Sequence, residues 1–190
     1  MQATGAENDY NMLARIIREH YQDSEGPPSN AASVHLRVGD VLSGYGTGGM
    51  SISQVLNGHR SVCANGIWSD DNHGGANRRC YVKNLDYYRW VVTQLPRSIR
   101  AIYLLAGSHA SWLNYDSRSS EYIRGVRDFF VSQGYYVSLR LGRPPDDDVV
   151  FVAKSNYFVQ GGGGYSILLS GVNEAMGGTV LMSDDVSIGG

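Results

Sequence analysis

The segment at residues 33–41, SVHLRVGDV, places an imidazole, a guanidinium and a carboxylate at the end of one predicted strand. His35 and Arg37 alternate with apolar residues, and Asp40 follows the glycine that ends the alternation. Because a buried, unpaired charge is destabilising, such a strand end requires a compensating partner. A phosphate suits this position, since a guanidinium can bind it through two parallel hydrogen bonds. The alternatives are a structural salt bridge between Arg37 and Asp40 and a core position for His35.

A second segment, residues 156–166 (NYFVQGGGGYS), carries a run of glycines between a predicted strand and a predicted helix. Glycine lets a ligand approach the backbone closely, and the first N–H groups of a helix carry a positive partial charge. This arrangement also suits a phosphate, with a flexible turn as the alternative. The spacing matches neither the dinucleotide fingerprint nor the P-loop. The residues predicted to hold the phosphate are Gly162, Gly163, Gly164, Tyr165 and Ser166, the last through its hydroxyl.

Three consecutive aspartates, Asp146, Asp147 and Asp148, follow two prolines and resemble a metal-binding cluster. Their place at the start of a predicted helix favours helix capping instead. Asp148 lies one turn deeper, where it could face a ligand cleft. There it would accept hydrogen bonds from a nucleobase with adjacent donors, such as guanine.

The elements that must position these residues alternate regularly in the second half of the chain. Strands separated by helices of 10–15 residues predict right-handed crossovers and a parallel sheet, with ligands beyond the carboxyl ends of the strands. We therefore expect one Rossmann-like, three-layer α/β/α domain over residues 1–190, with residues 39–80 as a long irregular insertion containing a short helix at 51–57. The other predicted strands are 33–38, 101–107, 135–141, 156–161 and 179–183.

Composition excludes several classes of protein. The chain has 190 residues and a formal net charge of −2, which argues against binding to nucleic acid or to anionic membranes. No segment approaches the roughly 20 apolar residues of a membrane span, and the start of the chain lacks a signal-peptide core. We therefore expect a cytoplasmic protein.

Cysteine usage is sparse. Cys63 and Cys80 are either free thiols or one disulfide. Zinc binding by His59, Cys63, His73 and Cys80 is disfavoured because the spacing contains no tight cysteine pair. We predict that the protein requires no metal.

Three segments resemble a known family. HLRVGD is similar to the H-x-R-R-x-D element of fucosyltransferases of the α1,2, α1,6 and protein O-fucosyl branches. AIYLLAGSH (101–109) resembles their strand that ends in Ala-Thr-Asp. DVVFVAKSNYFVQGGGGYS (148–166) is similar to their aspartate, helix, strand and Ser-Phe-Ser segment.

The resemblance implies the nucleotide-sugar lobe of a GT-B glycosyltransferase that binds GDP-fucose without a metal or further cofactor. By position, Arg37 would hold the β-phosphate, and Ser166 with the preceding backbone would hold the pyrophosphate. His35 and Asp148 would approach the guanine, and Gly107 and Ser108 would line the donor site.

The predicted function is an inverting transfer of a sugar from a GDP-sugar to an acceptor hydroxyl on a glycan or protein. Arg37 and Asp40 are the predicted catalytic residues, and Asp70 and Asp71 are further candidates for the base. Because only a donor lobe is recognisable, the acceptor side would come from residues 39–80, a partner chain or a missing lobe. The alternatives are a non-catalytic nucleotide- or glycan-binding module and a hydrolase of nucleotide sugars.

Overall fold

The structure, a computed structural model, describes residues 5–42, 49–57, 62–63, 80–107 and 117–182. Within these ranges the helices are α1 (Gly5–His20), α2 (Ile52–Asn57), α3 (Leu85–Gln94), α4 (Ser117–Ser132), α5 (Pro145–Ala153) and α6 (Gly164–Met176). The strands are β1 (Ala31–Arg37), β2 (Val62–Cys63), β3 (Cys80–Val82), β4 (Ala101–Gly107), β5 (Tyr136–Leu141), β6 (Tyr157–Val159) and β7 (Thr179–Leu181). A 3-10 turn covers Asp40–Leu42.

The main sheet of the described chain has five strands in the order β5-β4-β1-β6-β7, and every pair is parallel. This arrangement confirms the predicted parallel sheet. Each pair of successive sheet strands is joined through at least one helix, as parallel connections require.

Different helices cover the two faces of the sheet. On one, here called the α3 face, α2, α3 and α4 lie over a buried apolar layer that includes Val34, Leu36 and Leu104. On the other, the α6 face, α1, α5 and α6 pack over Leu105 and Phe158. The three layers confirm the predicted Rossmann-like α/β/α fold.

The chain changes direction across the sheet between β1 and β6. From β1 the chain reaches β4 and then β5 over the α3 face, whereas α5 and α6 connect β5, β6 and β7 over the α6 face. The connections after β1 and β6 therefore diverge to opposite faces. Such a topological switch point opens a crevice at the carboxyl ends of the two strands, which is where open α/β sheets bind ligands.

The described part of the insertion contains more order than we predicted. The short helix expected at 51–57 is confirmed as α2. The antiparallel pair of β2 and β3 was not predicted, because strands of two and three residues leave almost no periodic pattern. Their register sets Cys63 opposite Cys80. None of the described helices is long and apolar enough to cross a membrane.

Candidate functional site

Alternate residues of β1 face α6 and form a polar row along the strand. At its start, Ser33 Oγ lies 2.6 Å from the buried Ser155 Oγ. Further along, the buried His35 ring makes an edge contact with the Tyr165 ring, with centroids 5.6 Å apart. Because side chains alternate along a strand, Arg37 at the carboxyl end belongs to the same row. The predicted residues His35, Arg37 and Tyr165 thus share the α6 face.

Among the described residues, no atom fills the space over Gly107, beside Arg37. Gly107, also predicted in the donor site, is the register partner of Arg37 on β4. Gly107 is exposed, and a Cβ built on it would meet none of the described atoms within 4 Å. The described part of the chain therefore leaves the half-buried Arg37 accessible from the β4 side.

The glycine turn after β6 passes directly over β1. A Cβ at Gly161 would lie 2.4 Å from the carbonyl oxygen of His35 and 3.0 Å from its Nδ1, so a side chain does not fit there. The Gly161 N–H donates to Ser166 Oγ over 2.9 Å, and Ser166 is fully buried. The predicted phosphate-binding hydroxyl thus faces inward and stabilises the turn.

Helix α6 begins without a side chain over its first turn. Gly163 is the N-cap residue and has φ 85° and ψ 167°, a conformation that favours glycine. Because glycine carries no side-chain acceptor, the first N–H groups of α6 remain available to a partner from outside the helix. Gly164 is exposed and Gly163 is partly exposed, so solvent reaches this end.

Asp148 is engaged with another residue of the protein. Its Oδ1 lies 2.8 Å from Nε of Arg140, and both side chains are less than a tenth exposed. Burial raises the pKa of Asp148, and the hydrogen bond from Arg140 opposes that rise. Asp148 therefore has an ion-pair partner within the protein, and its predicted contact with a nucleobase stays a prediction. Arg140, which our sequence analysis missed, also lies over the Phe151 ring at 4.3 Å.

The aspartates of α5 do not cap the helix. Pro144 is its N-cap residue and makes no side-chain hydrogen bond, so the predicted capping is wrong. The three carboxylates lie in the first helical turn, where negative charge is favourable toward the helix dipole. Tyr165 of α6 reaches this end, since its hydroxyl donates to the Pro145 carbonyl over 2.7 Å.

The loop after β1 is fastened by the start of α4, which we also did not predict. The Gly39 N–H donates to Ser119 Oγ over 3.1 Å. The Arg118 guanidinium donates to the carbonyls of Leu42 and Met50, over 2.5 and 2.6 Å. These bonds fix the backbone on both sides of Asp40.

A buried lysine precedes α3, whose Tyr87 hydroxyl donates to the Gln160 carbonyl just after β6. Lys83, between β3 and α3, is 7% exposed, and its ammonium lies 5.0 Å from the centre of the Tyr87 ring. Burial lowers the pKa of Lys83 to about 8. A single lysine before a helix gives no recognisable sequence signal, so we did not predict a role for it.

Several predicted residues lie outside the described part of the chain. The backbone of Asp40 is in the 3-10 turn, but its side chain is outside that part. Also outside the described part are Ser108, the alternative bases Asp70 and Asp71, and the side chains of the four residues weighed for zinc. Among the described residues, no group of three or more His, Cys, Asp or Glu side chains could hold a metal ion.

A scan against protein-family models and a search of curated proteins found no match for this chain.

Proposed function

We propose that the crevice between β1 and β6 binds the diphosphate of a nucleotide sugar, and that the protein is an inverting, metal-independent glycosyltransferase. One observation carries the proposal. The strand that ends in Arg37 and the strand that leads into the glycine turn are neighbours at the switch point, and Arg37 belongs to the face that α6 covers. A guanidinium and an uncapped helix N-terminus thus border the same crevice.

Both groups would act on the leaving diphosphate. Negative charge builds up on its oxygens as the bond to the sugar breaks, and preorganised donors stabilise that charge. Arg37 would bind one phosphate, while the N–H groups of Gly164 and Tyr165 would bind the other. Removing one such donor typically reduces the rate by about 10²–10³-fold.

Two residues take different roles from those implied by the family resemblance. Ser166 would stabilise the glycine turn and would not bind the phosphate, because its hydroxyl already accepts a hydrogen bond from the Gly161 N–H. Asp148 would hold Arg140 and not the base. Guanine, fucose and a glycan or protein acceptor therefore rest on the motif resemblance, while Asp40 as the catalytic base and a cytoplasmic location stay predictions from the sequence.

A thermal-shift panel of nucleotides and nucleotide sugars tests the proposal. A ligand at 100 times its Kd adds about 2.7 kcal/mol to the free energy of unfolding. We expect GDP and GDP-sugars to raise the midpoint more than UDP, ADP or CDP. The variant Arg37→Ala should remain folded and lose both the shift and transfer. Unchanged turnover by this variant would remove the assignment.

A non-catalytic binding module is the second candidate, and the internal bonds of Ser166 and Asp148 favour it. A module would bind GDP in calorimetry but transfer no sugar over hours. A hydrolase would release free sugar without an acceptor, which product analysis distinguishes from transfer. Gel filtration with and without donor tests whether a partner chain completes the site.

A further inference from the structure

Lys83 is held in place from three directions. Asn84, the next residue, is the N-cap of α3, and its side chain accepts the Tyr87 N–H over 3.1 Å. The Tyr122 hydroxyl donates to the Lys83 carbonyl over 2.6 Å, so the proton between Tyr88 and Tyr122, whose hydroxyls are 3.0 Å apart, belongs to Tyr88. The Tyr87 ring lies beside the ammonium. Such support fixes the start of the lysine side chain.

The same residues connect Lys83 to the crevice. Strand β3, which immediately precedes Lys83, packs against β1 and against the 3-10 turn that follows β1. The Tyr87 hydroxyl donates to the Gln160 carbonyl over 2.6 Å. Gln160 is the residue before the glycine turn. Lys83 therefore stands next to both strand ends that form the crevice, on the α3 face.

Burial disfavours the charged form of Lys83 because it removes the hydration of the ammonium, and the lowered pKa of Lys83 reflects this burial. The start of α3 also carries an acidic side chain, Asp86, in its first turn. An anion in the crevice would favour the charged form of Lys83, because it would attract the ammonium.

We infer that Lys83 is a second cationic ligand of the anion in the crevice, approaching from the α3 face while Arg37 approaches from the α6 face. This inference rests on the proposed function and extends it. Two cations on opposite sides of the crevice match two linked phosphates better than they match a single phosphate. The site should therefore bind inorganic pyrophosphate more tightly than inorganic phosphate.

The composition allows a direct test, because Lys83 and Lys154 are the two lysines of the sequence. Lys154 donates to the carbonyls of Gln22 and Ser24, so Lys154→Arg retains donors there and leaves Lys83 as the one ε-amine. Pyridoxal phosphate then serves as the probe. Its aldehyde condenses with the amine and releases water, and borohydride supplies the hydride that reduces the imine. Peptide mapping separates this label from the one on the terminal amine.

We expect pyridoxal phosphate to label Lys83, and pyrophosphate to slow that labelling about tenfold. In a wild-type protein, labelling of Lys154 should not change with pyrophosphate. Lys83→Met should weaken pyrophosphate binding about tenfold, measured by calorimetry. If Lys83→Met does not fold, the effect of pyrophosphate on the labelling of Lys83 alone tests the role of this lysine.

The possible failures are distinguishable. If pyrophosphate binds but labelling of Lys83 is unaffected, or if Lys83 is never labelled while Lys154 is, the role of Lys83 is wrong and the proposed function stands. If neither pyrophosphate nor any nucleotide binds the wild-type protein, the proposed function fails, and the role of Lys83 fails with it.

Discussion

Helices α5 and α6 both begin at the carboxyl edge of the sheet on the same face, but their first turns are chemically opposite. α5 begins after a proline and carries three aspartates, one of which is paired with Arg140. α6 begins after Gly163 and has no acidic residue in its first turn. Negative side chains stabilise the positive end of a helix dipole, so the aspartates of the protein itself compensate the positive end of α5.

The first turn of α6 carries no acidic side chain of its own that could provide such compensation. Its positive end faces the crevice beside Arg37, where an anion from solvent can supply the missing negative charge. The aspartates of α5 would repel such an anion. The contrast assigns the proposed anion site to the β6–α6 side and a structural role to the β5–α5 side. Four variants test this division, from the largest expected effect to the smallest.

Arg140→Met tests the β5–α5 side, where Arg140 is paired with Asp148. The variant leaves the buried Asp148 carboxylate without its guanidinium, and breaking a buried pair this way destabilises a protein by about 3–5 kcal/mol. Arg140 also donates to Glu25 Oε2 over 3.0 Å, a contact that is lost as well. Denaturant unfolding measures the loss of free energy of unfolding.

Arg143→Met is the matched control, because Arg143 is exposed on the same side, and we expect a change of less than about 0.5 kcal/mol. The double variant Arg140→Met, Asp148→Leu should recover much of the loss, since both charges are removed. A loss for Arg140→Met no larger than that of the control contradicts the structural role of the pair.

Gly161→Ala tests the β6–α6 side, where the glycine turn passes over β1. The added Cβ would collide with the carbonyl oxygen of His35 at 2.4 Å, and that oxygen belongs to the backbone of a central strand. We expect a loss of about 3 kcal/mol, the upper end of the range for overpacking. Gly164→Ala is the control, because among the described residues nothing lies within 4 Å of its Cβ. Equal stability of the two variants would show that the turn does not lie against β1.

Lys83 extends the comparison to a third helix start, that of α3, which has this buried lysine before it and Asp86 in its first turn. The folded protein releases this proton near pH 8, whereas the unfolded chain holds it up to the ordinary pKa of 10.5. The unfolded state therefore binds more protons between these values, and the stability of the fold rises with pH. Relative to Lys83→Met, the wild-type protein should gain about 2 kcal/mol from pH 7 to pH 10.

The measurement is denaturant unfolding of both proteins at each pH. It ends at pH 10, since burial raises the pKa of Tyr87, Tyr88 and Tyr122 and their titration in the unfolded state weakens the fold above that pH. Saturating pyrophosphate should reduce the rise if it pairs with the ammonium. Identical pH profiles for the wild-type protein and the variant would mean that Lys83 titrates as an ordinary exposed lysine.

Most of the fold could be predicted from the sequence, whereas the pairing of charges at the site could not. The strand predicted at 101–107 matches β4, because a buried parallel strand is a continuous apolar run bounded by turn residues. The glycine run predicts a turn before a helix. Its members have separate tasks, close approach at Gly161 and positive φ at Gly163, and these depend on which strand the turn crosses.

Arg140 and Lys83 show why the rest was missed. Arg140 is one polar residue in a strand, and its partner Glu25 is 115 residues away in sequence. The position of Lys83 becomes meaningful only once β3 packs against the end of β1. Contacts of this kind depend on the order of strands in the sheet, which local patterns do not encode.

Tyr165→Phe has the smallest expected effect and tests whether the two helix starts act together. The hydroxyl of Tyr165 donates to the Pro145 carbonyl, which ties the first turn of α6 to that of α5, while the ring against His35 is retained in the variant. Losing one such bond should reduce the free energy of unfolding by about 1 kcal/mol. Tyr136→Phe is the control, because Tyr136 is 81% exposed and should show no change. If the two variants unfold alike, the starts of α5 and α6 are independent of each other, and the β5–α5 side does not help to position the start of α6.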